Sequence, residues 1–150
     1  VLSIVCIGPT LLLLVANVLQ NQGPEGAGDI ALTLLRVAGA GVAVTLLYTS
    51  TTMGVASLTD RKSIASAAII LVFLISLMVT GILTANGDFE ASAVLSITLL
   101  SLDLAQRVHG ETSTTMPDTA TALVWGAWAA WTIGGLALAR FRLQRLEVTR

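Results

Sequence analysis

Residues 37–85 read VAGAGVAVTLLYTSTTMGVASLTDRKSIASAAIILVFLISLMVTGILTA. Two uncharged apolar runs, 37–58 and 64–85, flank one charged knot, Thr59 to Ser63. Each run is about 22 residues long. A helix rises about 1.5 Å per residue, so each run is long enough to cross a hydrocarbon core of about 30 Å. The knot leaves room only for a tight turn. The stretch therefore predicts a helical hairpin with both arms in the bilayer and its turn at the surface.

Composition points the same way. Hydrophobic residues make up 55% of the 150-residue chain and charged residues 11%, against about 25% charge in soluble domains. The side chains needed for a polar surface are missing. Cys6 and His109 each stand alone, so no disulfide can form within the chain and no Cys or His spacing indicates a metal. Val1 opens an apolar run with no basic lead-in or cleavage site of the signal-peptide kind. We read residues 1–150 as a single transmembrane domain that is part of a longer chain.

Working outward, residues 1–19 form another apolar run, in which Gly8-Pro9 predicts a kink. A polar loop, QNQGPEGAGD, follows at 20–29, and then IALTLLR at 30–36. Joined to the run after it, this last piece would give a helix of about 29 residues that tilts or starts in the interface. Arg36 would then reach toward headgroups, or line a substrate path. Past the hairpin, residues 91–109 are apolar but imperfectly amphipathic. Ser92, Ser96, Asp103, Gln106 and Arg107 gather on one side, and Asp103 and Arg107 form an i,i+4 pair. A polar loop spans 110–118, the last apolar run 119–139, and the chain ends RFRLQRLEVTR.

Charge then sets the topology. Four spans place Arg61, Lys62, Arg140, Arg142, Arg145 and Arg150 on one side, leaving Arg36 and Arg107 on the other. By the positive-inside rule the knot and the C-terminal tail are cytoplasmic. A fifth span at 91–109 would break that pattern, so the segment is read as an outer-face interfacial or re-entrant helix. The expected fold is an all-α integral membrane protein with four transmembrane helices, about 1–19, 37–58, 64–85 and 119–139, plus that helix.

In the last span Gly126, Ala130 and Gly134 recur every four residues, a small-residue ridge expected to let another helix approach closely. Trp125, Trp128 and Trp131 wind along an adjacent face, with Trp125 suited to the interface and Trp131 to packing. The chain has no phosphate-binding G-x-x-x-x-G-K-[ST] loop, no G-x-S-x-G elbow and no H-E-x-x-H. Within the four spans no Asp, Glu, His or Lys occurs, so they hold no proton relay. The Ser and Thr hydroxyls there can bond to carbonyls of their own helix. Covalent chemistry has no candidate residues.

The stretch LLYTSTTMGVASLTDRKSIASAAIILVFLIS (46–76) resembles the paired fourth and fifth spans of ABC-2 type transporter permeases, with their basic "SxLTxRR/K" knot. LLSLDLAQRVHGE (99–111) is similar to the outer-face helical segment some of them carry, and ARFRLQRLEVTR to their basic tail. The resemblance implies spans three to six of a six-span permease subunit, in the cell membrane. Such a subunit works by alternating access, paired with a second permease copy as a homo- or heterodimer. A separate cytoplasmic ABC ATPase supplies the energy, so the chain itself is expected to be no enzyme, and to need no cofactor and no nucleic acid. The knot residues Asp60, Arg61 and Lys62 would face that ATPase. The alternative is a small membrane scaffold or assembly subunit with no transport path.

Overall fold

The computed structural model describes residues 26–85 and 92–147. The first apolar run with its Gly8-Pro9 kink, most of the loop after it and Arg150 lie outside the described residues. Among the described residues four helices stand out: α1 (Ala27–Ser57), α2 (Lys62–Ala85), α3 (Ile97–His109) and α4 (Thr121–Glu147). Among the described residues there is no strand. Three of the helices are long and apolar enough to cross a membrane, over Gly28–Ser57, Lys62–Leu83 and Thr121–Gln144. The chain is an all-helical protein with membrane-compatible helices.

The hairpin forms where the sequence puts it. α1 ends at Ser57 and α2 begins at Lys62, so the link is Leu58 to Arg61. Leu58 and Thr59 donate backbone bonds to Val55 O and Ala56 O, closing the helix end. Tyr48 stacks on Phe73 with ring centroids 5.3 Å apart, which fixes the two arms as antiparallel. α1 starts at Ala27 and runs on without a break through 30–36. The longer of the two expected helices is the one that forms.

α4 lies parallel to α1. Trp128 Nε1 donates to Ala43 O at 2.9 Å, and Gly135 meets Ser50 seven residues further along both helices. Arg142 then pairs with Asp60 at 3.1 Å, so the tail and the knot share one end of the bundle. The C-terminal helix does not stop at Ala139. It carries the basic tail as far as Glu147.

α3 is the element the sequence left open between interfacial and re-entrant. A helix lying across the surface would meet α1 at a single level. Instead, Arg36 Nη1 donates to His109 O at 3.0 Å, while Tyr48 OH and Ser101 Oγ lie 3.3 Å apart. Between those contacts α1 advances about 18 Å and α3 retreats about 12 Å, so the two helices run antiparallel side by side. At about 20 Å, the 13 residues of α3 cannot cross about 30 Å of hydrocarbon. The helix begins part-way along α1 and runs back to the end opposite the knot.

Irregular backbone packed between helices needs its polar groups paired within the protein. The turn before α3 bonds to itself, Leu95 N to Ser92 O and Ser96 N to Ala93 O. Thr80 Oγ1 of α2 donates to Ser92 O at 3.3 Å, and Ser96, fully buried, caps α3 by accepting from Leu99 N. At its other end Gly110 takes the left-handed conformation, φ 81°, that glycine reaches without a Cβ clash. The core is the seam of α1, α3 and α4: Ala43, Leu47, Ile97, Leu100, Leu104 and Val124.

Candidate functional site

The most constructed part of the molecule is the far side of α3, where the polar residues of its amphipathic pattern turn inward. Asp103 is completely buried, although its placement on the polar side of the segment suits a solvent-facing stripe. Arg107 Nε donates to Asp103 Oδ2 at 2.7 Å. The same guanidinium donates to Thr121 Oγ1 at 2.8 Å, Met116 O at 2.8 Å and Thr119 O at 2.9 Å. One side chain thus ties α3 to the 110–120 loop and to the first residue of α4. Four separate acceptors around a planar fork suit arginine and not lysine.

The loop is held at a second place. Gln106 Nε2 donates to Thr114 Oγ1 at 2.9 Å, and Gln106 Oε1 accepts from Thr114 N at 3.0 Å. Ser113 Oγ accepts from Thr115 N and Met116 N, which folds Met116 into a fully buried position. This loop, rich in Thr and Ser, reads in the sequence as an ordinary polar connection. The signal that could have marked it is the i,i+4 pair Asp103–Arg107, once that pair is placed inside instead of outside. The second oxygen of Asp103, Oδ1, is buried with no hydrogen-bond partner.

At the opposite end, the knot residues part company. Asp60 is engaged by Arg142, an exposed pair with the carboxylate 83% accessible, which contributes little to stability. Arg61 and Lys62 are exposed and make no ion pair among the described residues. They form a basic surface beside the exposed Arg140. Asp60 thus has a partner on α4, while its neighbours Arg61 and Lys62 stay exposed.

The ridge on α4 lies on an exposed side of the helix. Gly126 and Gly134 are exposed, and a Cβ built on either would meet nothing within 4 Å. Inside the chain, the close helix crossing belongs to the neighbouring glycine. A Cβ on Gly135 would collide with Ser50 O and come within 2.9 Å of Thr51 N, and one on Gly54 would lie 2.8 Å from Gly135 O. Ala130 and Gly134 instead line an apolar groove of about 710 Å3 with Val55, Val72 and Trp131. Trp128, not Trp125, is the tryptophan whose indole N–H is used internally, on Ala43 O, and Trp125 meets it edge-on at 5.7 Å.

The hydroxyls in α1 and α2 bond as the sequence leads one to expect: Thr51 to Leu47 O, Thr52 to Tyr48 O, and Thr80 to Ser76 O, at 2.7 to 2.9 Å. No group of three or more His, Cys, Asp or Glu that could hold a metal occurs among the described residues. The arrangement holds the short α3 against the two long helices α1 and α4 and leaves much of α2 uncovered, with Met78 65% exposed. No family model, curated protein or solved structure matches this chain.

Proposed function

We propose that the chain is the C-terminal part, spans three to six, of an ABC-2 type permease subunit. Residues 1–19 complete its four spans. It moves its substrate by alternating access, driven by a separate cytoplasmic ATPase and working with a second permease copy. The observation that carries this reading is the re-entrant path of α3 immediately before the last long helix, locked there by Arg107. A scaffold needs only to stand in the bilayer. A buried half-depth helix with its polar turn satisfied by Ser96 and Thr80 is costly to build, and such broken helices line substrate and ion paths in transporters.

The proposed motion follows from the packing. α1, α3 and α4 are joined by Arg107, Trp128 and the Gly54–Gly135 crossing, so they move as one block. α2, joined to that block by the Tyr48–Phe73 stack and the Thr80–Ser92 bond, is the helix that shifts against it. The chain does no covalent chemistry, and energy enters from the partner. Reconstitution of the full-length permease tests this. Flux is expected only with a P-loop ATPase subunit and ATP, and gradient-driven flux through the permease alone would rule the reading out.

Orientation is part of the proposal. Arg61, Lys62, Arg140 and Arg142 lie at one end of the bundle, and the positive-inside rule makes that end cytoplasmic, in the cell membrane. In a background with Cys6 replaced, cysteine at Ser63 or Thr149 is expected to stay hidden from impermeant thiol reagents in intact cells. Cysteine at the exposed Thr112 is expected to react. Labelling of position 149 from outside would invert or break this topology.

A further inference from the structure

A second groove, about 410 Å3, runs between α1 and α3 on the side away from the Arg107 lock. Its walls are Val37, Ala40 and Val44 from α1 and Leu102, Ala105 and His109 from α3. Ser101, which also borders it, directs its hydroxyl to Thr98 O at 2.8 Å, so the floor is apolar in effect. The groove lies within the stretch of α1 that is apolar enough to cross a membrane, and its size is that of a small-molecule site. An acyl chain fits such a slot.

At the rim stands Arg36. Its Nη1 donates to His109 O, and its guanidinium lies against Gly110, where a Cβ would sit 3.5 Å from both Nη1 and Nη2. Arg36 thus adjoins the end of the groove, bonded to His109 and next in sequence to Val37, both of which line it. Its side chain is exposed, and among the described residues no carboxylate pairs with it, including Glu111 in the adjoining loop. A guanidinium has five N–H donors, and one is used here. A positioned cation with free donors, at the end of an apolar slot, is complementary to an amphiphile with an anionic head.

From this juxtaposition we infer that the α1–α3 groove binds an anionic phospholipid, its phosphate on Arg36 and one acyl chain between α1 and α3. The binding is independent of whether the chain transports anything. Neutral lipids can fill the slot, but they gain less from the guanidinium, so the site selects by headgroup. The fork geometry of arginine suits a phosphate oxygen pair, which a lysine would meet only as a point charge.

The test uses the full chain in a non-ionic detergent, titrated with phosphatidylglycerol and with phosphatidylcholine of the same acyl chains, read by native mass spectrometry. Phosphatidylglycerol is expected to bind about ten-fold more tightly, the scale of one charge-assisted contact. Arg36→Gln should erase that preference while leaving the thermal midpoint in lipid-free detergent close to wild type. Ala105→Leu, which fills the slot, should weaken both lipids alike. Equal affinity for the two lipids in the wild-type chain overturns the inference. So does displacement of phosphatidylglycerol by millimolar inorganic phosphate, which would mean a free-anion site. An unchanged affinity in Ala105→Leu would place the acyl chain elsewhere and overturn it too.

Discussion

Arg107→Ala is expected to destabilise the docking of α3 and its loop by about 3–5 kcal/mol, the range for stranding one member of a buried ion pair. Asp103 is fully buried and Arg107 is 14% exposed, so water cannot replace the lost partner. One oxygen of Asp103 already lacks a hydrogen bond, and the substitution would leave both without one. Thr119 O loses the Arg107 donor in the same step, and Met116 O is left with only Thr119 N. The loss is local, because α1 and α4 keep their own crossing. It should therefore appear as rapid proteolysis within 110–120, together with a lower thermal midpoint in detergent. Arg107→Lys keeps the charge but cannot reach four acceptors, and should fall between. Replacing both Asp103 and Arg107 with leucine removes the stranded charge and should recover part of the loss, the two loop carbonyls accounting for the rest. A wild-type cleavage pattern in Arg107→Ala would show that the lock contributes nothing.

The hairpin was legible because length and the absence of charge decide it, and both are visible residue by residue in 37–85. The whole polar side of 91–109 was legible as a pattern, but not as a direction. Periodicity shows that Asp103 and Arg107 share a face with Ser96. It cannot say whether that face meets water or the start of another helix. The deciding contacts, Arg107 to Thr121 and to Met116 O, join residues 9 to 14 positions apart through a loop with no regular period. Arg36 was legible as a residue near a membrane surface, yet its partner His109 lies 73 positions away. Short-range pattern fixes the elements here, and long-range polar contacts fix how they are used.

The ridge on the last helix shows the same limit at the scale of one residue. Gly134 and Gly135 are adjacent, and a spacing of four from Gly126 and Ala130 selects Gly134. The stripe that α4 buries is instead Val124, Thr132, Gly135 and Ala139, with Trp128 half-buried on it. That stripe is set by α1, which offers Ser50 and Gly54 one and two turns beyond Leu47. A helix wheel of α4 alone holds no information about those partners.

The consequence is a paired result of very unequal size. Gly135→Ala is expected to cost about 3 kcal/mol, at the upper end of the range for overpacking, because the colliding atoms are backbone. A flexible side chain can rotate away from a new methyl group. The Ser50 carbonyl cannot, since it is part of the α1 hydrogen-bond ladder, so the two helices must separate. Separation would also stretch the Trp128–Ala43 bond one heptad away. Gly54→Ala should cost a similar amount, its Cβ meeting Gly135 O and Cα within 3 Å. Gly134→Leu, by contrast, places its side chain toward open space and the apolar groove, and should change the thermal midpoint by less than the equivalent of about 1 kcal/mol. If Gly134→Leu leaves the fold intact but shifts the chain to a smaller species on size exclusion, the Gly126–Ala130–Gly134 ridge serves contact with a second copy. A Gly134→Leu variant that melts as low as Gly135→Ala would mean that α4 is rotated by about 100°, one residue's worth, from the packing described here.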